Sequence, residues 1–273
     1  MRVHLSGNSE FMSESFRPKA LITGASSGIG AAFARELASR GYDLIITGRR
    51  VEEINTIAEH IRNDYNAAVE VHILDFSNKN RFNEFLKTVK KDKHIRVLIN
   101  NAGFGNHAYF SESDAEMHQK MTDVHIIAPM QLTHAVLPVM KDKNQGIIIN
   151  VSSIASFLIM PKSSIYSASK SFLTVFTEVL YMELANTNIL VQALSPGLTK
   201  TDFHQKQDSL SIKTNLIQWM EPEEIVKKAL KKLSKRKVNC IPGFQAKFLH
   251  FMVAILPKKM FYKLMIYASR SAD

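Results

Sequence analysis

Residues 20–30 read ALITGASSGIG, and the fold turns on what this stretch is. Three apolar residues suited to a buried strand lead into TGASSGIG (23–30), and the helical pattern AAFARELAS (31–39) follows at once. A strand, a tight turn and a helix in direct succession raise a weak glycine pattern into a strong one. Gly24 can take backbone angles closed to other residues, Gly28 lets a pyrophosphate approach the main chain, and Gly30 permits close helix packing. The helix N-terminus adds unpaired amides and a partial positive charge. The candidate phosphate-site residues are therefore Gly24, Ser26, Ser27, Gly28, Ile29 and Gly30.

Two other readings compete. The turn could be a ligand-free connection. Residues 24–28 also fit Gly-x-Ser-x-Gly, the nucleophile elbow of a hydrolase, with Ser26 as nucleophile. An elbow on the first strand is badly placed for that fold, and it leaves Gly30 without a role.

Working outward, short β-rich runs alternate with helical periods. Strands are expected at 20–22, 43–47, 69–74, 97–100, 146–151, 189–193 and 238–241, with helices at 31–39 and 51–65 among those between them. The alternation predicts an α/β fold: a single doubly wound domain, its central parallel sheet of seven strands flanked by helices. No linker, repeat or low-complexity segment divides it. The expected organisation is a catalytic domain over 18–243, preceded by a disordered or foreign leader at 1–17 and followed by a basic, apolar helical extension of the same domain at 244–273.

The second strand ends in Thr47-Gly48-Arg49-Arg50, with no carboxylate before Glu52. At this place an acid holds a free ribose 2′-hydroxyl, whereas arginine suits a 2′-phosphate. Two guanidinium groups favour NADP as the cofactor, with Arg49 ahead of Arg50, because a helix-start surface charge also accounts for Arg50.

Of the 273 residues, 45% are hydrophobic and 22% charged, ordinary for a globular protein. The single cysteine, Cys240, excludes an internal disulfide and points to a reducing compartment, so a cytoplasmic setting is expected. No histidine pair or Cys-x-x-Cys has metal-ligand spacing, so no metal is expected. No apolar run is long enough for a signal peptide or a membrane span. The net charge of +10 is uneven: residues 225–273 hold twelve Lys or Arg against one acid, and the remainder sums to −1. No nucleic-acid motif accompanies this basic tail. Contact with an anionic membrane surface fits the asymmetry, and so does a solvated basic surface.

Two late segments stay open. The polar stretch from 202 to about 219 follows a strand end and reads as a substrate lid or as a long surface loop. The segment FQAKFLHFMVAILPKKMFYKLMIY (244–267) reads as helices packed on the core. It also reads as an amphipathic element lying on a membrane or roofing an apolar substrate pocket.

Tyr166 and Lys170, in YSASK (166–170), are four residues apart and so share one face of a helix. The pair reads either as a catalytic phenol beside its cation or as helix surface, and spacing alone does not choose. The choice comes from the whole set: TGASSGIG at 23–30, NNAG at 100–103, Ser153, YSASK at 166–170 and SPGLTKT at 195–201. In order and spacing this set resembles the classical short-chain dehydrogenases/reductases, over residues from about 19 to 241, and looks like a bacterial-type NADP-dependent member.

The resemblance implies a Rossmann-like domain that assembles as a homodimer or homotetramer. It places Asp75 near the adenine, and Asn101, Ala102 and Gly103 along the cofactor. Pro196, Gly197, Thr199 and Thr201 would hold the nicotinamide end. Ser153, thirteen residues before Tyr166, would bond the substrate oxygen, with Lys170 on the nicotinamide ribose. Val124-His125 departs from the family's usual Val-Asn, at the position that anchors a relay water. His125 therefore reads as a relay member with altered pH dependence or as a packed histidine.

The expected activity is reversible NADPH-dependent reduction of a carbonyl to an alcohol, the substrate being a small molecule of hydrophobic, lipid-like or steroid-like character. Tyr166 is the general acid/base, and its pKa is expected below that of a free tyrosine because of the Lys170 ammonium and the oxidised nicotinamide. The alternative is a catalytically weak NADP-binding regulatory or scaffold protein.

Overall fold

Side chains that alternate along each strand sort the core into two layers. In the computed structural model, which describes residues 17–201 and 219–270, seven parallel strands form one sheet in the order β3-β2-β1-β4-β5-β6-β7. They are β1 (Lys19–Ile22), β2 (Asp43–Gly48), β3 (Val69–Ile73), β4 (Ile95–Asn100), β5 (Gly146–Val151), β6 (Ile189–Leu194) and β7 (Asn239–Cys240). Ala20 and Ile22 join one apolar layer and Leu21 the other, and Ile147, Ile148 and Ile149 divide in the same way. Helices α1 (Gly28–Ser39) and α2 (Val51–Tyr65) cover the first layer. Helix α3 (Lys79–Lys91) covers the second. Both faces being covered, β5 and β6 are buried along their whole length, as their continuous apolar sequences require.

The strand positions agree with the periodicity to within two residues, and α2 has the expected bounds. Helix α1 begins three residues earlier than its apolar pattern, because glycines carry no side chains from which a period could be read. Further on, α4 (Ala115–Thr122) runs through a π-helical turn at Asp123–Ile127 into α5 (Ala128–Asp142). The wide turn fits Pro129, which has no N–H to give the carbonyl of His125 four residues earlier.

Helix α6 (Ser164–Glu183) packs beside β6, and α7 (Pro222–Leu233) beside α1. The tail forms two helices, α8 (Phe244–Ile255) and α9 (Lys258–Arg270), parted where Leu256 precedes Pro257 and leaves the helical region. The leader lies outside the described residues except Arg17, whose guanidinium donates to the Asn66 carbonyl at 2.8 Å. The stretch read as a lid also lies outside them, except Trp219, which is exposed.

Because the chain moves outward from β1 to β3 and then returns to β4, a crevice opens between the C-terminal ends of β1 and β4. A buried polar ladder stiffens this end of the sheet. Asn100 donates to Asn150 Oδ1 at 2.7 Å, and Asn150 donates to Thr177 Oγ1 at 2.8 Å, which ties β4 to β5 and β5 to α6.

Candidate active site

The crevice is a cavity of about 750 Å³. Of the residues singled out from the sequence, Gly30 and His125 stand behind its wall, and all the others line it. At one end lies the glycine turn. Gly28 has a φ of +56°, and a Cβ there would come within 2.6 Å of Thr201 Cγ2. Gly30 abuts the turn itself: a Cβ would lie 2.3 Å from the Gly24 carbonyl oxygen and 2.5 Å from Asn101 Nδ2. Asn101 fastens the turn by donating to the carbonyls of Thr23 (2.9 Å) and Gly24 (3.0 Å). Ser27 caps α1 without a side-chain hydrogen bond, which leaves the first-turn amides to an anionic ligand. The hydrolase reading fails on Ser26, whose hydroxyl accepts from the Arg50 guanidinium at 3.4 Å, a cation that cannot act as its base.

The two arginines are held differently. Arg50 is fastened to the turn through Ser26, and its other edge is ion-paired with Glu53 at 3.4 Å. Arg49 is 61% exposed, lies 5.9 Å from the Phe104 ring centre and makes a longer ion pair, 3.7 Å, with Asp75. Burial pushes the Asp75 carboxyl up, but bonds from Ser77 and the Arg49 charge outweigh it and hold its pKa below the ordinary value. Both guanidinium groups and Asp75 thus border the end of the cavity beside the glycine turn.

Toward the other end, Tyr166 and Ser153 are joined by a hydrogen bond between their hydroxyls. Ser153 also caps a short 3-10 turn, accepting from the Ala155 N–H at 3.1 Å. Lys170 Nζ lies 5.7 Å from the Tyr166 ring centre and donates to the Val151 carbonyl at 2.9 Å, at the end of β5. The expected lowering of Tyr166 is not produced by these protein groups. Burial pushes its pKa up to about 12, against the Ser153 bond, and burial alone brings Lys170 down to about 8.

This inversion has a measurable consequence for stability. Between pH 8 and 10.5 the unfolded chain keeps a proton on Lys170 that the folded chain has released, so raising the pH stabilises the fold. From pH 8 to 9 the Lys170 contribution to the unfolding free energy should rise by about 1 kcal/mol. The buried Cys240 thiol, raised to about 11, opposes part of this rise from near pH 9, and the Tyr166 phenol, raised to about 12, adds to the opposition above pH 10, because each holds its proton in the folded state longer than in the unfolded one. Urea titrations of the wild type and Lys170→Met should show the rise only in the wild type.

His125 is fully buried on the π-helical turn, behind Tyr166. Its Nε2 accepts from the Phe104 N–H at 3.0 Å and so carries no proton. Nδ1 therefore carries it and donates to Ser169 Oγ at 3.0 Å, and that hydroxyl donates to the Tyr166 carbonyl at 2.8 Å. Burial and the Lys170 charge hold the ring well below the usual histidine pKa. Both ring nitrogens are thus engaged within the protein. The ring braces the loop after β4 against α6. Glycine at 103 leaves it room, since a Cβ there would lie 3.0 Å from Nε2.

Sequence reasoning passed over Phe104, Ser169 and the Val151 carbonyl. Ser169 had one detectable signal, its place three residues after Tyr166 on the same helix. A backbone carbonyl has none, because any residue supplies it.

A model of the family described as short chain dehydrogenase matches residues 18–211. An uncharacterized oxidoreductase of Staphylococcus saprophyticus is 39% identical over 183 residues, 67% of this chain and 78% of that protein. Human inactive hydroxysteroid dehydrogenase-like protein 1 is 33% identical over 184 residues, 67% of this chain and 56% of that protein. Among solved structures, a short-chain dehydrogenase from Sphingobium yanoikuyae in complex with NADPH is 30% identical, with a TM-score of 0.78, covering 87% of this chain and 93% of that one. By its motifs, its sheet order and these matches, the chain belongs to the short-chain dehydrogenase family.

Proposed function

We propose that the protein is an NADPH-dependent oxidoreductase that reduces a carbonyl to an alcohol, reversibly. The observation that carries this reading is that the hydrogen-bonded Ser153 and Tyr166 share one cavity with the glycine turn and both arginines. The residues fit the cofactor. Gly28 keeps the phosphate end clear, Gly30 lets α1 lie against the turn where a Cβ would collide, and Arg49 and Arg50 offer the 2′-phosphate two cations. When bound, NADPH supplies the hydride. Tyr166 donates its proton to the carbonyl oxygen, and the burial that raises its pKa keeps it in the protonated form that reduction needs. Ser153 donates a hydrogen bond to the same oxygen as negative charge develops there. Lys170, held by the Val151 carbonyl, brings a positive charge close to the phenol, so that the proton can return in the oxidative direction.

Phe104, Leu158 and Met160 line the same cavity, which favours a substrate with a sizeable apolar part. Homo-oligomerisation is supported by α6, where Val175, Val179 and Met182 form an exposed apolar stripe. The second reading, an NADP-binding regulatory or scaffold protein, draws on His125, which stands in the relay position with no nitrogen to spare, and on the human relative whose name calls it inactive.

One assay addresses both readings. Purified protein and His125→Asn are mixed with NADPH and a panel of aldehydes, ketones and β-ketoacyl thioesters, and NADPH absorbance is followed. Wild-type turnover on at least one carbonyl is the expected result. A wild type inert across the panel, beside an active His125→Asn, would favour the scaffold reading.

A further inference from the structure

Helix α8 lies on the surface yet is apolar both toward the body and on the side away from it. Ala246 is buried, and Leu249, Met252 and Val253 are half-buried against the body. On the opposite side Phe244, Phe248, Phe251 and Ile255 follow the i, i+4, i+7, i+11 spacing of a single helical stripe and are 81, 56, 58 and 57% exposed. Four large apolar side chains aligned toward water lie outside the usual pattern of scattered exposed residues. Helix α9 continues the theme. Phe261 is buried and anchors it, while Met260, Leu264 and Tyr267 form a second outward stripe. Lys259 and Lys263, both exposed, run beside that stripe.

The charge selects the partner. Residues 244–270 contain five basic residues and no acid. In a two-fold dimer through this face each copy would set its lysines against those of the other, with no carboxylate to meet them. An anionic lipid surface takes both features together, the aromatic and aliphatic stripe among the acyl chains and the lysines at the headgroups. No described helix is long and apolar enough to cross a membrane, so the contact is with the surface. We propose that α8 and α9 dock this protein on anionic phospholipid bilayers. The docked face adjoins the cavity wall: His250 of α8 packs edge-on against Phe157, with ring centres 4.6 Å apart, and the neighbours Ala155 and Leu158 line the cavity. The inference is independent of the reductase reading.

The test is co-sedimentation of the full chain with vesicles of phosphatidylcholine alone and of phosphatidylcholine containing about one-third phosphatidylglycerol. The expected result is binding to the anionic vesicles that is at least tenfold tighter than to the neutral ones and weakens as salt is raised. Phe248→Asp with Phe251→Asp alters only exposed positions, and should weaken anionic binding more than tenfold with the unfolding midpoint unchanged. Lys259→Gln with Lys263→Gln should weaken it about 25-fold, about fivefold per lysine. Equal partitioning onto both vesicle types, or no binding to either, would overturn the proposal. So would wild-type binding by both double variants, or an apolar stripe that is occupied by a second copy, seen as a dimer in sedimentation equilibrium that Phe248→Asp with Phe251→Asp dissociates.

Discussion

Tyr166→Phe is expected to lower kcat for carbonyl reduction by about a thousandfold, within the range of a removed general acid. NADPH affinity should change by less than about twofold. The split follows from what the substitution removes. The ring keeps its edge contact with His125, 5.7 Å between centres, and the backbone keeps its bond to Ser169, so the helix and the cavity wall stay in place. One hydroxyl is lost, the group that meets Ser153 and would give up the proton. Steady-state kinetics on a carbonyl found in the panel, with NADPH binding followed by fluorescence, make the check. Full activity in the variant would remove Tyr166 from the chemistry. A matching loss of NADPH binding would show that the ring's role is to shape the cavity.

Arg49→Ser with Arg50→Ser should weaken NADPH binding by about a thousandfold and leave NADH within about threefold. A hydrogen bond to a charged group contributes about 1.5–3 kcal/mol, so each arginine is worth about 10- to 100-fold. The single variants should be unequal. Arg50 is held on the turn by Ser26 and needs little ordering to meet a phosphate, so its loss should cost about 100-fold. Arg49 is mostly in solvent and must be ordered to meet a phosphate, so its loss should cost about tenfold. Titration with both nucleotides separates two kinds of effect, because damage to the glycine turn would weaken NADH as well. Equal affinities of wild type and double variant for NADPH would dispose of the 2′-phosphate assignment.

The fold was open to reading because its determinants are local. In β5 the run GIIINV has no polar face, which only a strand covered on both sides tolerates, and it is buried throughout. The turn at 23–30 carries its geometry in its glycines, and the sheet order places that turn at the crevice. The tail was harder. Its mixture of lysines and large apolar residues fits packed helices or a free face equally, and only the exposure of Phe244, Phe248, Phe251 and Ile255 distinguishes them.

What the sequence by itself determined is the set of groups, their order along the chain, and hence the parallel sheet with its cradle and its Ser153, Tyr166 and Lys170. What only the tertiary structure decided is how those groups are charged and what holds them. Desolvation depends on everything packed around a side chain, so among the protein's own groups burial drives Tyr166 up and Lys170 down, where the Lys170 ammonium together with an oxidised nicotinamide pointed to a lowered tyrosine. His125 is likewise explained by Phe104 and Ser169, 21 and 44 residues away along the chain, which meet the two sides of one ring. No spacing rule reaches that far, because folding alone sets the distance between them.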